Sequence, residues 1–409
     1  MPLIRRLFLA IIVIRSALDV VFGALRVDGG GFSPGAVLNA IIIAAGMFVV
    51  LRKGIRALHA PLLIWLAYLA YAALTLSRSP DAGEGFRLFL GLLSTYMVFT
   101  IAFNTSTLAG HAEALLKCII YSSFAVALFG IFQYVFIDRL AGRLSATFEH
   151  PNILAFYLLL VITTLFYERR FQRLNRLPRI LPGRLLYVGL LLVLLLLTET
   201  RSAWIATAAA FALYAALANR KLLVMLALVP ALLLVPAISD RFSDLGSSGT
   251  AQDVHRGVQI DSYSWRQLLW QYALVDSEDS RTTGKGLGSF RSNSHFFFPL
   301  EESADAHSAY IQTLYETGIV GLSLYLAVFL AFAVAIHRSG TDRKTAAMAI
   351  ALIAAYLLES YSDNTLYYLS YNWYFWAFIG CHLGNTLGAR RRIEAGIAAP
   401  AETHAVVPR

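Results

Sequence analysis

Apolar residues along this chain come in long runs separated by short polar connections. A helix needs about 20 predominantly apolar residues to cross the hydrocarbon of a bilayer. Twelve stretches approach that length: 3–25, 36–51, 61–77, 86–103, 114–137, 152–167, 184–200, 202–218, 222–238, 308–336, 345–362 and 371–388. Spans 184–200 and 202–218 nearly touch, which predicts a tight helical hairpin. The pattern changes over 239–307, a long polar segment rich in Asp, Ser and Gly up to Gln259. Within it Trp265, Leu268, Leu269 and Tyr272 recur at helical spacing, predicting an amphipathic helix over Tyr263–Val275 that lies on the membrane or on the bundle. A connection this long is as a rule functional or disordered, and its aromatic residues argue against disorder. No internal repeat is visible, and the polar tail after Gly388 is expected to be disordered. The expected architecture is an all-α polytopic membrane protein of about twelve transmembrane helices. Nine lie in 1–238, a large loop follows in 239–307, three more lie in 308–388, and 389–409 form a tail.

Composition agrees with a membrane protein. Hydrophobic residues make up 58% of the chain and charged residues 14%, well below the roughly 25% charged of a soluble domain. A net charge of +9 would point to nucleic acid in a soluble protein; here the placement of the charges matters more, and no nucleic-acid partner is expected. With the N-terminus cytoplasmic, the cytoplasmic connections collect Arg52, Lys53, Arg56, Arg169, Arg170, Arg173, Arg176, Arg179, Arg184, Arg220, Lys221, Arg338, Arg343 and Lys344, with Arg390–Arg392 in the tail. The short connections opposite hold only Arg26, Arg78, Arg139, Arg143 and Arg201, with Arg87 at a helix start. This positive-inside pattern places both termini in the cytoplasm and the large loop in the periplasm, so the expected location is a bacterial inner membrane. Cys118 and Cys381 both fall in apolar segments, so no disulfide or thiolate-metal framework is indicated. The first span carries Arg15 and Asp19 and no small-residue cleavage site, and reads as a retained helix. Those two residues, four apart on one helix face, can pair with each other.

In this topology the remaining polar residues gather at the periplasmic face. Arg143, Glu149, His150 and Asn152 precede the sixth span, and Glu199 and Arg201 occupy the hairpin tip. Arg266 opens the amphipathic stretch; Arg281, Lys285, Asp305 and His307 follow it; Asp363 and Asn364 lie between the last two spans. Arginines, a histidine and carboxylates at one face suit an anionic lipid-linked substrate. Each also has a plain alternative. Arginines at a membrane surface snorkel to lipid phosphates, Arg201 can pair with Glu199, and His307 can be an interfacial cap. Gly284-Lys285-Gly286-Leu287-Gly288 superficially matches a phosphate-binding loop, but no strand precedes it; a turn that brings Arg266 and His307 together is the expected role.

At these residues the sequence resembles the bacterial O-antigen ligase and O-antigen polymerase superfamily. The resemblance is carried by Leu144-Ser145-Ala146-Thr147-Phe148-Glu149-His150-Pro151-Asn152, by Thr200-Arg201-Ser202, and by Ser264-Trp265-Arg266-Gln267-Leu268-Leu269-Trp270. Gly284–Gly288 and the stretch from His307-Ser308-Ala309-Tyr310 through Glu316-Thr317-Gly318 complete it, in order, over residues 140 to 325. It implies a metal-independent, cofactor-free, inverting glycosyltransferase of the GT-C-like membrane type. The donor would be a glycan on undecaprenyl diphosphate. The acceptor would be another lipid-linked repeat unit in a polymerase, or a sugar of lipid A-core in a ligase. Membrane lipids surround the protein, and a chain-length regulator is a candidate partner. A diphosphate leaving group needs its growing charge neutralised, which Arg201 and Arg266 can do through bidentate contacts. An acceptor hydroxyl needs a base, and His307 is the candidate. Arg143, His150, Asn152, Glu199, Arg281, Lys285 and Tyr310 are second-tier substrate contacts. Polymerase is the first reading and ligase the second. A flippase or other transporter of lipid-linked oligosaccharide is a third, of another class, but few ionisable residues, Arg15, Asp19, Lys117 and Glu359 among them, lie well inside spans.

Overall fold

The computed structural model describes residues 2–25, 34–53, 59–137, 142–168, 183–226, 262–298 and 303–396. Most of the ninth span, the polar loop up to residue 261, the basic connection over 169–182 and the end of the tail lie outside the described residues. Among those described, the chain is helical and forms no strand. The helices are α1 (Pro2–Arg15), α2 (Asp19–Ala24), α3 (Pro34–Lys53), α4 (His59–Thr75), α5 (Ala82–Ser106), α6 (His111–Phe132), α7 (Pro151–Glu168), α8 (Arg184–Leu197), α9 (Arg201–Ala218) and α10 (Lys221–Leu226). After the gap come α11 (Ser262–Asp276), α12 (Ser289–Phe297), α13 (Ala309–Arg338), α14 (Arg343–Ser362) and α15 (Leu369–Glu394). Seven segments among the described residues are long and apolar enough to cross a membrane: Pro34–Arg52, Ala60–Arg78, Ala82–Ser106, His111–Ile137, Arg201–Ala218, Ala309–Arg338 and Arg343–Ser362. Two shorter apolar helices, Pro151–Tyr167 and Arg184–Leu197, accompany them. Large apolar side chains such as Leu74, Leu128, Leu185 and Leu330 are exposed on these helices, as expected where lipid is the solvent. The chain is a multi-pass membrane protein.

The first span differs from a single helix. A 3-10 turn at Ser16–Leu18 separates α1 from α2, beside the buried pair Arg15–Asp19, whose Nη1 and Oδ1 atoms are 2.9 Å apart. Arg15 also stacks on Phe22 and Trp373, so its charge is met by a carboxylate and two aromatic faces. The expected hairpin is present: only Thr198–Thr200 separate α8 from α9.

At the centre α15 packs along α5 through Gly380, Gly384 and Gly388, spaced one helical turn apart. A Cβ at Gly380 would lie 2.8 Å from the Phe99 carbonyl oxygen, at Gly384 2.2 Å from that of Phe103, and at Gly388 2.3 Å from that of Thr107. Close backbone approach through small residues is a general device of membrane helices. It also explains how α15 can be central yet not among the seven segments long and apolar enough to cross a membrane. Its polar residues, including Asn372 and His382, are buried against protein and not against lipid. Around this pair, α3 flanks α5, α4 and α14 flank α13, α9 packs on α14, and α6 to α8 with α1 complete the bundle.

The connections sort into two ends. At one, Val20 N–H donates to Thr147 O at 3.0 Å, Leu144 N–H to Leu197 O at 3.0 Å, and Ala309 N–H to Asp363 O at 3.0 Å. At the other, Arg392 donates to Thr107 O at 3.2 Å and Thr341 contacts Thr386 at 3.0 Å, close to Arg338, Arg343, Lys344 and Arg390. The second is the basic end.

Candidate functional site

The amphipathic helix expected over Tyr263–Val275 is α11, and it turns Ser264, Leu269, Trp270 and Ala273 inward. With Phe290, Phe297 and Phe298 it builds a small second core against Tyr315 of α13. This unit caps the non-basic end of the bundle.

The glycine-rich turn has a role that its sequence does not reveal. α13 is broken at Gly318, which adopts φ +68°. A break inside a membrane helix frees backbone groups that must find partners, and the turn supplies them. Lys285 N–H donates to Tyr315 O and Gly286 N–H to Glu316 O, each at 2.9 Å, while Ile319 N–H donates to Arg281 O at 2.9 Å. A Cβ at Gly284 would meet the Glu316 carbonyl oxygen at 2.3 Å, and one at Gly318 would meet Thr282 O at 2.3 Å. The turn is thus docked into the kink. Lys285 Nζ is 2.7 Å from Asp276 Oδ2, the oxygen that also accepts from Tyr315 O–H at 2.6 Å, and Arg281 is exposed. Asp276 closes α11 ten residues beyond Arg266, roughly 15 Å along the helix. Arg281 and Lys285 therefore lie at the far end of the cap.

Nearer the start of α11, residues distant in sequence converge. Asp363 is fully buried. Its carboxylate accepts from Asn152 Nδ2 and Tyr368 O–H and from Asn364 N–H at 3.0 Å. Asn152 Oδ1 in turn accepts from Arg143 Nη2 at 2.6 Å and from Thr200 Oγ1 at 3.2 Å. Arg143 also donates to Thr198 O and Thr200 Oγ1, each at 2.9 Å, which ties the sixth-span approach to the α8–α9 tip. His150 Nδ1 accepts from Asn152 N–H at 3.2 Å. That nitrogen is unprotonated, so the imidazole is neutral with its proton on Nε2. Arg266, half-buried, donates to Ser362 O at 3.0 Å. The His307 ring lies edge to face with Trp265 at 5.9 Å. Burial lowers the His307 imidazole below its ordinary range; Arg266 adds to the lowering, and Asp363 and Asp305 oppose it. His150 is lowered too, first by desolvation, with Asp363 opposing and Arg143, His307 and Arg266 adding to the effect.

The structure thus brings Arg143, His150, Asn152, Arg266 and His307 together around Asp363. Arg201 opens α9 directly after Thr200, at the edge of this network, and Glu199 holds the tip with a left-handed φ of +52°. Tyr310 lies on α13 and donates to Leu357 O, a contact between α13 and α14 and not one within the cluster. Asp305 on the rim is met by Arg291 at 3.7 Å. Arg143, Arg201 and Arg266 stand here beside two imidazoles that burial lowers, with Asp363 at the hub, Asp305 on the rim and Glu199 at the tip. Asp363 and Asn364, noted in the sequence only as polar residues between spans, prove to be its hub. A lone carboxylate flanked by two apolar runs was the available signal.

The chain is thus a multi-pass helical bundle with arginines and imidazoles gathered around Asp363 under an amphipathic cap. Residues 186–326 match the family model described as O-antigen ligase. The match covers α8 to the middle of α13 and supports the O-antigen ligase and polymerase superfamily for this chain. No curated protein matches it.

Proposed function

We propose that the chain transfers a glycan from undecaprenyl diphosphate to a sugar hydroxyl at the cluster around Asp363, by an inverting reaction at the periplasmic face. The observation that carries this reading is the convergence on one cluster of Arg266 and a half-buried His307, whose imidazole burial and Arg266 hold below its ordinary range. Arg266 and Arg201 take up the charge that grows on the departing diphosphate, while His307 removes the proton of the attacking hydroxyl as the oxygen reaches the anomeric carbon from the opposite side. The new glycosidic bond forms as the bond to the diphosphate oxygen breaks. Arg143, Asn152 and Asp363, occupied with one another, keep the site in register.

The orientation follows from the basic residues: the end bearing Arg338, Arg343, Lys344 and Arg390 is cytoplasmic, and the cluster end is periplasmic. On this reading the chain has twelve spans in a GT-C-like arrangement, supported by the seven long apolar helices and two shorter ones among the described residues. Polymerase is the first reading, with lipid-linked repeat units as both donor and acceptor. The description of the matched family favours the second, transfer to lipid A-core. Glycan analysis of a deletion strain separates them. A polymerase deletion leaves chains of one repeat unit, and a ligase deletion leaves long chains on the lipid carrier. An unchanged glycan profile would overturn both.

A further inference from the structure

His307 adopts φ +47°, a left-handed conformation uncommon for a residue with a Cβ. The backbone of its two neighbours, Ala306 and Ser308, is held by buried side chains from three separate elements. Before it, Ala306 N–H donates to Gln312 Oε1 at 3.3 Å and Ala306 O accepts from Trp270 Nε1 at 2.7 Å. After it, Ser308 N–H donates to Asn364 Oδ1 at 2.9 Å. The two amides are joined, Asn364 Nδ2 donating to Gln312 Oε1 at 3.0 Å.

Their orientations are fixed from below. Gln312 Nε2 donates to Glu316 Oε1 at 2.6 Å, and Glu316 Oε2 accepts from Tyr367 O–H at 2.5 Å. A carboxylate on its nitrogen side leaves the Gln312 oxygen facing Ala306 and Asn364. Starting α13 does not require any of this, because Ser308 already caps the helix at Ile311 N–H. Trp270, Gln312 and Asn364 are all buried, and each bonds the backbone of a residue next to one strained histidine.

We propose that Trp270, Gln312 and Asn364 are positioning residues that clamp the backbone around His307 and hold its imidazole at the Trp265 ring, toward Arg266. The proposal rests on the reading of His307 as the base. None of the three needs to touch the substrate: their effect passes through the ring they place.

The test uses full-length protein in lipid nanodiscs and, as substrate, the lipid-linked glycan pool extracted from cells deleted for this chain. Trp270→Phe keeps the aromatic bulk and removes only the N–H donor, while Asn364→Ala and Gln312→Ala remove the amides. Misplacement of a reacting group by about 1 Å costs on the order of a hundredfold in rate. Each variant is therefore expected to lose roughly ten- to a hundredfold in kcat, with the KM for the pool unchanged. A loosened ring gains solvent while Arg266, His150, Asp363 and Asp305 stay in place. Its pKa then rises toward the ordinary value, and the acid limb of kcat/KM moves to higher pH. A fold defect alone would lower the active fraction without moving that limb. Wild-type kcat and an unmoved limb in Trp270→Phe would overturn the proposal, even if neither amide variant folds. His307→Gln in parallel separates the two readings. Full activity there overturns the base itself. An inactive His307→Gln beside unaltered clamp variants overturns the clamp alone.

Discussion

Exchanging the two residues at the centre of the cluster gives a sharp test of its hydrogen-bond polarity. Asn152 cannot flip, because its oxygen accepts from Arg143 and Thr200 while its nitrogen donates to Asp363. Asp363→Asn places an amide –NH2 against that nitrogen or, flipped, turns the –NH2 toward the Asn364 N–H and Tyr368 O–H that share the other oxygen. One charge-assisted hydrogen bond is lost, worth about 1.5–3 kcal/mol, and a buried donor is left unpaired at about 1–3 kcal/mol. The expected destabilisation is thus roughly 3–5 kcal/mol, the range for breaking a buried charged contact from one side. Asn152→Asp sets two buried carboxylates against each other and is expected to cost as much. The double exchange restores every partner. Asp at 152 accepts from Arg143, Thr200 and the new amide at 363, whose oxygen accepts from Tyr368. Unfolding in mixed micelles is expected to show both single variants strongly destabilised and the double variant within about 1 kcal/mol of wild type. Additive losses in a double-mutant cycle would refute the assigned polarity.

Four further outcomes follow from the same geometry. Arg266→Lys is expected to recover little of the transfer lost in Arg266→Ala, since a point charge cannot reproduce the planar guanidinium fork; near-wild-type rates for Lys would reduce the residue to its charge. The acid limb of kcat/KM is expected below pH about 6.5, because a lowered His307 stays neutral to more acid pH; a limb above that value would contradict its assignment as the base. Gly384→Leu is expected to destabilise by about 1–3 kcal/mol or more, because even a Cβ would lie 2.2 Å from the Phe103 carbonyl oxygen; an unchanged melting temperature would refute the close α5–α15 contact. Cysteine placed at exposed Glu278 is expected to react with a membrane-impermeant thiol reagent in cells with a permeabilised outer membrane, and cysteine at exposed Arg338 is expected not to; reversed labelling would invert the orientation.

Much of the helical layout is legible in the sequence because hydropathy reports the local solvent of each segment. The amphipathic period of Trp265, Leu268, Leu269 and Tyr272 marks α11 for the same reason. The break at Ser16–Leu18 was hidden, since an apolar run reads alike whether continuous or bent. The docking of the Gly284–Gly288 turn is not legible because its partner is a kink in α13, and a need for backbone donors leaves no mark in side-chain polarity. The glycine repeat of α15 was legible in spacing, yet its meaning depends on which helix lies opposite. For the candidate site, residue types and order pointed to Arg143, His150, Asn152, Arg266 and His307, which the fold does bring together. Lys285, equally basic in sequence, is taken up by Asp276, a pairing set by the path of the chain between α11 and α13. Asp363 stood out less than the arginines because a single buried carboxylate shows its importance only once its donors are seen.

The central claim is chemical, and one reaction tests it directly: purified protein in nanodiscs with the extracted lipid-linked glycan pool, wild type against His307→Gln. Gln keeps hydrogen-bonding capacity and lacks basicity, and a general base contributes about a hundred- to ten-thousandfold in rate. The account predicts that wild type transfers glycan from the lipid diphosphate while His307→Gln still binds the donor and transfers at least about a hundredfold more slowly. Equal rates for the two proteins would contradict it.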